Sequence, residues 1–112
     1  MSQEKVKIAR TEALFRDVNE RIAETALRFE TPDVTFVCEC ADPECVHRVS
    51  VPADEYEDVR REPTHFVTAP GHGLGEPLER VVDHRDGYQV IEKIEHVLRK
   101  HVIELDPRAD AA

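Results

Sequence analysis

Val34-Thr35-Phe36-Val37-Cys38-Glu39-Cys40-Ala41-Asp42-Pro43-Glu44-Cys45-Val46-His47-Arg48-Val49-Ser50-Val51 sets all three cysteines of the chain, within eight residues, between two β-branched runs. Val34 to Val37 and Arg48 to Val51 read as two short strands joined by a compact loop. Along an extended strand Cys38 and Cys40 point to one face. The Ala41-Asp42-Pro43-Glu44 segment has the turn chemistry to fold Cys45 back toward them. Three sulfurs then converge on one point.

Outward from this stretch, Glu4 to about Phe29 carries Phe15, Val18, Ile22, Ala26 and Phe29 at steps of three and four, with Leu14 beside them. This predicts a long amphipathic helix that ends near Glu30-Thr31-Pro32, because the residue before a proline leaves the helical region. We expect the stripe to pack on the domain's own sheet, and a helix this long also allows a homodimer. Downstream, Pro52 to Arg61 has proline first, acids early and arginines late, a short helix stopped by Pro63. His65 to Thr68 reads as a strand, Pro70 to Pro77 as a glycine-rich loop and Leu78 to Asp83 as a strand. Asp86-Gly87 marks a hairpin turn before Tyr88-Gln89-Val90-Ile91. Ile94, Val97, Leu98, His101, Val102 and Leu105 return to helical spacing before the chain frays into Asp106-Pro107. The order predicts an α+β fold: a small antiparallel sheet with long N-terminal, short middle and C-terminal helices, stapled by a metal site. The expected division is an N-terminal helix (1–31), a zinc-ribbon-like core (32–93) and a C-terminal helix and tail (94–112).

The composition narrows the function. The 112 residues carry 15 Lys and Arg against 24 Asp and Glu, a net charge of −9, with no tryptophan and six Phe and Tyr. One small domain with a thin core follows, for which a metal or partner is a natural staple. No run of about 18 apolar residues or signal-like segment is present, so we expect a cytoplasmic protein with no membrane span. Residues 30–62 hold ten acids and three bases. That segment repels phosphate backbones, so no nucleic acid is expected there and a basic protein partner fits better. An odd number of thiols also reads more naturally as metal ligands than as a secreted disulfide framework.

Tetrahedral zinc takes four thiolate or imidazole ligands at about 2.0–2.3 Å, so a histidine should complete the set. His47 lies two residues beyond Cys45. His72 sits between Gly71 and Gly73 in a loop, where packing calls for no imidazole and glycines let the backbone approach a ligand. Cys38, Cys40, Cys45 and His72 are the expected ligands of a structural Zn2+, with His47 as the alternative fourth. Glu39, Asp42 and Glu44 lie among the cysteines, and negative charge disfavours bare thiolates, so these thiols should be poor nucleophiles without a cation. Neither His-Glu-x-x-His nor a phosphate loop nor a nucleophile-elbow motif occurs, and a non-enzymatic role is expected.

The run Cys-x-Cys-x4-Cys-x-His from Cys38 to His47 resembles the ligand order of SWIM-type zinc fingers, with a shorter spacer and a strand-like Arg48 to Val51 where that family has a helix. Several stretches together are similar to a group of small uncharacterised proteins of high-GC Gram-positive bacteria. They are Leu14 to Ile22, Cys38-Glu39-Cys40 with Cys45, Glu55 to Arg60, Pro70-Gly71-His72 and Gly87 to Lys93. The resemblance implies a self-contained cytoplasmic domain, brings no established activity, and favours His72 over His47 through its Pro-Gly-His turn. The resulting expectation is a zinc-binding interaction or regulatory domain. The alternative is a thiol redox sensor that releases metal on oxidation.

Overall fold

The computed structural model of the protein describes residues 2–30 and 33–109. Helix α1 (Ser2–Arg28) is followed by strands β1 (Asp33–Val37) and β2 (Arg48–Pro52), helix α2 (Ala53–Arg60), strands β3 (His65–Thr68), β4 (Glu79–Arg85) and β5 (Tyr88–Lys93), and helix α3 (His96–Glu104). This is the expected α+β architecture. Its strands form a β1-β2 pair and a separate three-stranded sheet in the order β3-β5-β4, all antiparallel. Thr31 and Pro32, where the sequence reading stops the first helix, lie outside the described residues, as do Asp110 to Ala112.

The β1-β2 hairpin follows from its alternation. Val34 faces Val51 and Phe36 faces Val49, and all four are buried while their neighbours Thr35 and Ser50 are exposed. Phe36 stacks on Tyr56 of α2 with ring centroids 4.3 Å apart. Beyond the strand, the Glu39 N–H donates to the Val67 carbonyl at 2.8 Å. That bond brings the two sheets edge to edge. Between β4 and β5, Gly87 turns with φ 86°, a conformation glycine adopts without steric cost.

The buried face of α1 differs from the expected stripe. Its buried residues are Ala9, Glu12, Arg16, Asn19, Ala23 and Ala26, whereas Leu14 is 69% exposed, Val18 45% and Phe29 70%. Of the expected stripe, Phe15 and Ile22 are half-buried and Ala26 alone is buried. The reason is polar docking. Asn19 donates to the Val37 carbonyl and accepts from the Val37 N–H, at 2.8 and 2.9 Å. Arg16 donates to the carbonyls of Pro63 and His65, and its guanidinium lies 3.7 Å from the Phe66 ring centroid. Glu12 pairs with Lys93, which also reaches Glu79, and all three are buried. Small alanines at either end of this row let α1 approach closely.

The expected fraying from Asp106 is likewise corrected for Asp106 to Ala109. Asp106 is paired with Arg60 and, at 3.5 Å, with Arg16. Arg108 donates to Glu20 and Glu57, each at 2.9 Å. Burial alone would raise the Asp106 carboxyl, but Arg60, the Arg108 backbone N–H and Arg16 together hold it below its ordinary range. The segment after α3 is thus clamped across α1 and α2.

Candidate metal centre

Four side chains from two loops meet at the end of the β1-β2 hairpin. One ligand atom from each of Cys38, Cys40, Cys45 and His72 lies within 4.8 Å of the other three. The cysteine loop folds back as its composition requires. Asp42 Oδ1 accepts from the Glu44 N–H at 2.9 Å, and the Asp42 carbonyl accepts from the Cys45 N–H at 3.1 Å. His72 arrives on the loop after β3. Its N–H donates to the Ala69 carbonyl at 3.0 Å, and its carbonyl accepts from Gln89 Nε2 at 2.7 Å and Thr68 Oγ1 at 3.2 Å. Gly73 follows with φ 154°, and a Cβ there would sit 2.6 Å from Glu79 Oε2. Glycine is therefore required beside the histidine.

Two sulfur-to-nitrogen distances fit those of a tetrahedral metal. Bonds of about 2.3 Å to sulfur and about 2.0–2.1 Å to nitrogen place sulfur and nitrogen about 3.6 Å apart. His72 Nδ1 lies 3.5 Å from Cys38 Sγ and 3.7 Å from Cys45 Sγ. The donor chemistry agrees, since three soft thiols and one imidazole suit zinc and other thiophilic ions better than magnesium or calcium. All three cysteines are free. The Ala69 N–H donates to Cys38 Sγ at 3.2 Å, an outer-shell hydrogen bond that supports negative charge on that sulfur.

Burial dominates the electrostatics of the thiols. It pushes Cys38 and Cys40 upward from their ordinary range; the proximity of Cys40 and Cys45 adds to the rise at Cys38, and that of Cys45 to the rise at Cys40. The acids named from the sequence are not the cause. Glu39 turns away from the sulfurs, and the Asp42 backbone N–H pulls Cys40 down.

Glu39 is the residue whose role was missed. It is fully buried, and its two oxygens act only as acceptors, from Asn19 Nδ2 at 2.9 Å, Tyr56 Oη at 2.7 Å and the Val67 N–H at 3.0 Å. Sitting between Cys38 and Cys40, it ties their backbone to α1, α2 and β3. Its position at the middle of Cys-x-Cys was visible; its partners, up to 28 residues away, were not. The Thr68 and Gln89 clamp on His72 was missed for the same reason. Among the other histidines, His47 lies edge-on to His72 with centroids 4.4 Å apart. His65 Nε2 lies 3.4 Å from Glu92, and His84 is exposed on β4.

Comparison of the chain with protein-family models, curated proteins and solved structures finds no match. No helix among the described residues is long and apolar enough to cross a membrane. The group of three cysteines and one histidine can hold a metal ion, and the residues around it are those of a small antiparallel α+β domain.

Proposed function

We propose that this protein is a non-enzymatic zinc-binding domain in which Cys38, Cys40, Cys45 and His72 form a structural site, and that it acts through protein interaction in the cytoplasm. The observation that carries the reading is the match of the 3.5 and 3.7 Å sulfur-to-nitrogen distances to a tetrahedral set of three sulfurs and one nitrogen. Four protein ligands leave no open position of the kind a catalytic zinc keeps. The bound ion would join the hairpin loop to the loop after β3, supplying cross-linking where a thin core supplies little. Zinc K-edge absorption on purified protein should give three sulfurs and one nitrogen around the ion. A protein that stays folded and unchanged in a strong chelator overturns the structural role.

The interaction surface we assign is the outward strip of α1, with Leu14 and Val18 exposed and Phe29 exposed just beyond its end, and its occupant a second copy of the chain. Residues 1–29 are near neutral, with six bases and five acids, whereas residues 30–62 carry ten acids against three bases. Two copies therefore meet with least repulsion along α1, leaving the acidic middle free for a basic partner. Light scattering should give twice the chain mass, returning to one chain in Val18→Glu.

The redox-sensor reading rests on three free sulfurs held together at the site. The burial that pushes up Cys38 and Cys40 opposes it, because oxidants attack the thiolate. Reversible metal release at modest peroxide excess would favour the sensor over the staple.

A further inference from the structure

We propose that His47 is a second, interchangeable imidazole ligand, so that the hairpin alone can hold the metal once His72 withdraws. This rests on the metal-binding reading above and specifies how the site is regulated. In β1-β2, Val34 faces Val51 and Phe36 faces Val49. Continued by the same rule, Cys38 faces His47. The Cys38 N–H donates to the His47 carbonyl at 3.2 Å, so the ladder does extend to that pair. Residues directly opposite on antiparallel strands project from the same side with Cβ atoms about 4.5–5.5 Å apart. Cys38 and His47 therefore rise from one face of the hairpin, and Cys40 and Cys45 bring their sulfurs close to Cys38.

His72 makes five candidate ligands for four positions. The mutually close group contains His72 and not His47, while the two rings touch edge to edge at 4.4 Å between centroids. His47 is exposed, and no hydrogen bond to another described residue fixes its ring. His72 has its backbone clamped by Ala69, Thr68 and Gln89, leaving side-chain torsions as its freedom. In the exchange the metal bond to His72 breaks, that to a neutral His47 nitrogen forms, and no proton is gained or lost. With His72 bound, the hairpin and the loop from Pro70 to Pro77 are tied together. With His47 bound, the metal stays on the hairpin and its link to that loop is lost while the backbone bonds of His72 remain, which gives a binding partner two arrangements of the His72 side chain to select between.

The test uses Co2+ as the probe on the full-length chain, with circular dichroism confirming that each variant is folded. Wild type should bind one Co2+ with the intense visible bands of a tetrahedral thiolate site. His72→Ala should keep those bands with affinity reduced about 10–100-fold, the cost of exchanging the favoured imidazole for His47 at about 1.4 kcal/mol per tenfold. His47→Ala should stay within a few-fold of wild type, and the double variant should lose the tetrahedral bands. If His72→Ala already loses them, or if the double variant equals His72→Ala in spectrum and affinity, the interchange is overturned while the site of three cysteines and His72 stands. No Co2+ bound by wild type would overturn the metal reading itself. Should His72→Ala fail to fold, His72→Gln takes its place under the same criteria.

Discussion

Replacing Glu39 by alanine should destabilise the protein about as much as losing a metal ligand, although Glu39 touches no metal position. The side chain accepts three hydrogen bonds, from Asn19, Tyr56 and the Val67 N–H, in a fully buried setting. Each buried donor left without an acceptor costs about 1–3 kcal/mol, and water entering the vacated space recovers part of it, so the expected loss is about 3–6 kcal/mol. A chain of this length has roughly 6–17 kcal/mol in total. Glu39→Ala should therefore lower the urea midpoint severely or abolish the cooperative transition. Glu39→Gln should cost about 1–3 kcal/mol, because its NH2 group faces positions where every partner donates. The assay is urea unfolding followed by circular dichroism on metal-saturated protein, with metal content measured in parallel. Lost stability should be accompanied by weaker metal binding, since Glu39 fixes the backbone between Cys38 and Cys40. A Glu39→Ala variant within about 1 kcal/mol of wild type, with unchanged metal affinity, would refute the anchoring argument.

Three further outcomes are expected. Asp106→Ala takes the shared acid from buried Arg16 and Arg60 while leaving Arg60 its pair with Glu20 and should cost about 1–3 kcal/mol by the same unfolding assay; no measurable change would show the C-terminal clamp to be inert. Burial holds the Cys38 and Cys40 thiols upward of their ordinary range, so metal binding should release the protons of both and a chelator competition should show affinity rising by about a hundredfold per pH unit; a slope near zero would mean that these cysteines do not ligate. Burial raises the Glu12 carboxyl from 4.5 to about 7 despite Lys93, so the folded state holds an extra proton across that window and loses stability as pH rises through it; Glu12→Gln should flatten this dependence, and thermal melts at several pH values that fall in parallel for both proteins would contradict it.

The features visible in the sequence were those that local chemistry determines. Alternation in Val34 to Val37 and Arg48 to Val51 defined the hairpin, the Asp42-Pro43 turn brought Cys45 back, and glycine flanks distinguished His72 from the other histidines. The face of α1 was misread because a count of apolar residues ignores polar groups that pair at long range. Glu12, Arg16 and Asn19 are buried because Lys93, the Phe66 ring and Val37 meet them, and none of these neighbours them in the chain. Asp106 and Arg108 were assigned to a fraying tail on the same grounds. Their acidic and basic character suited solvent equally well until Arg60, Glu20 and Glu57 were brought alongside. Glu39 shows the limit most clearly, since proximity in sequence suggested an acid acting on the thiols whereas the fold turns it toward Tyr56.

The central claim, a structural metal held by three cysteines and a histidine, is tested most directly by native mass spectrometry of freshly purified protein with and without a strong chelator. The account predicts one zinc ion per chain, with removal shifting the charge-state distribution to that of an unfolded chain. A metal-free protein of unchanged, folded charge-state distribution would contradict it.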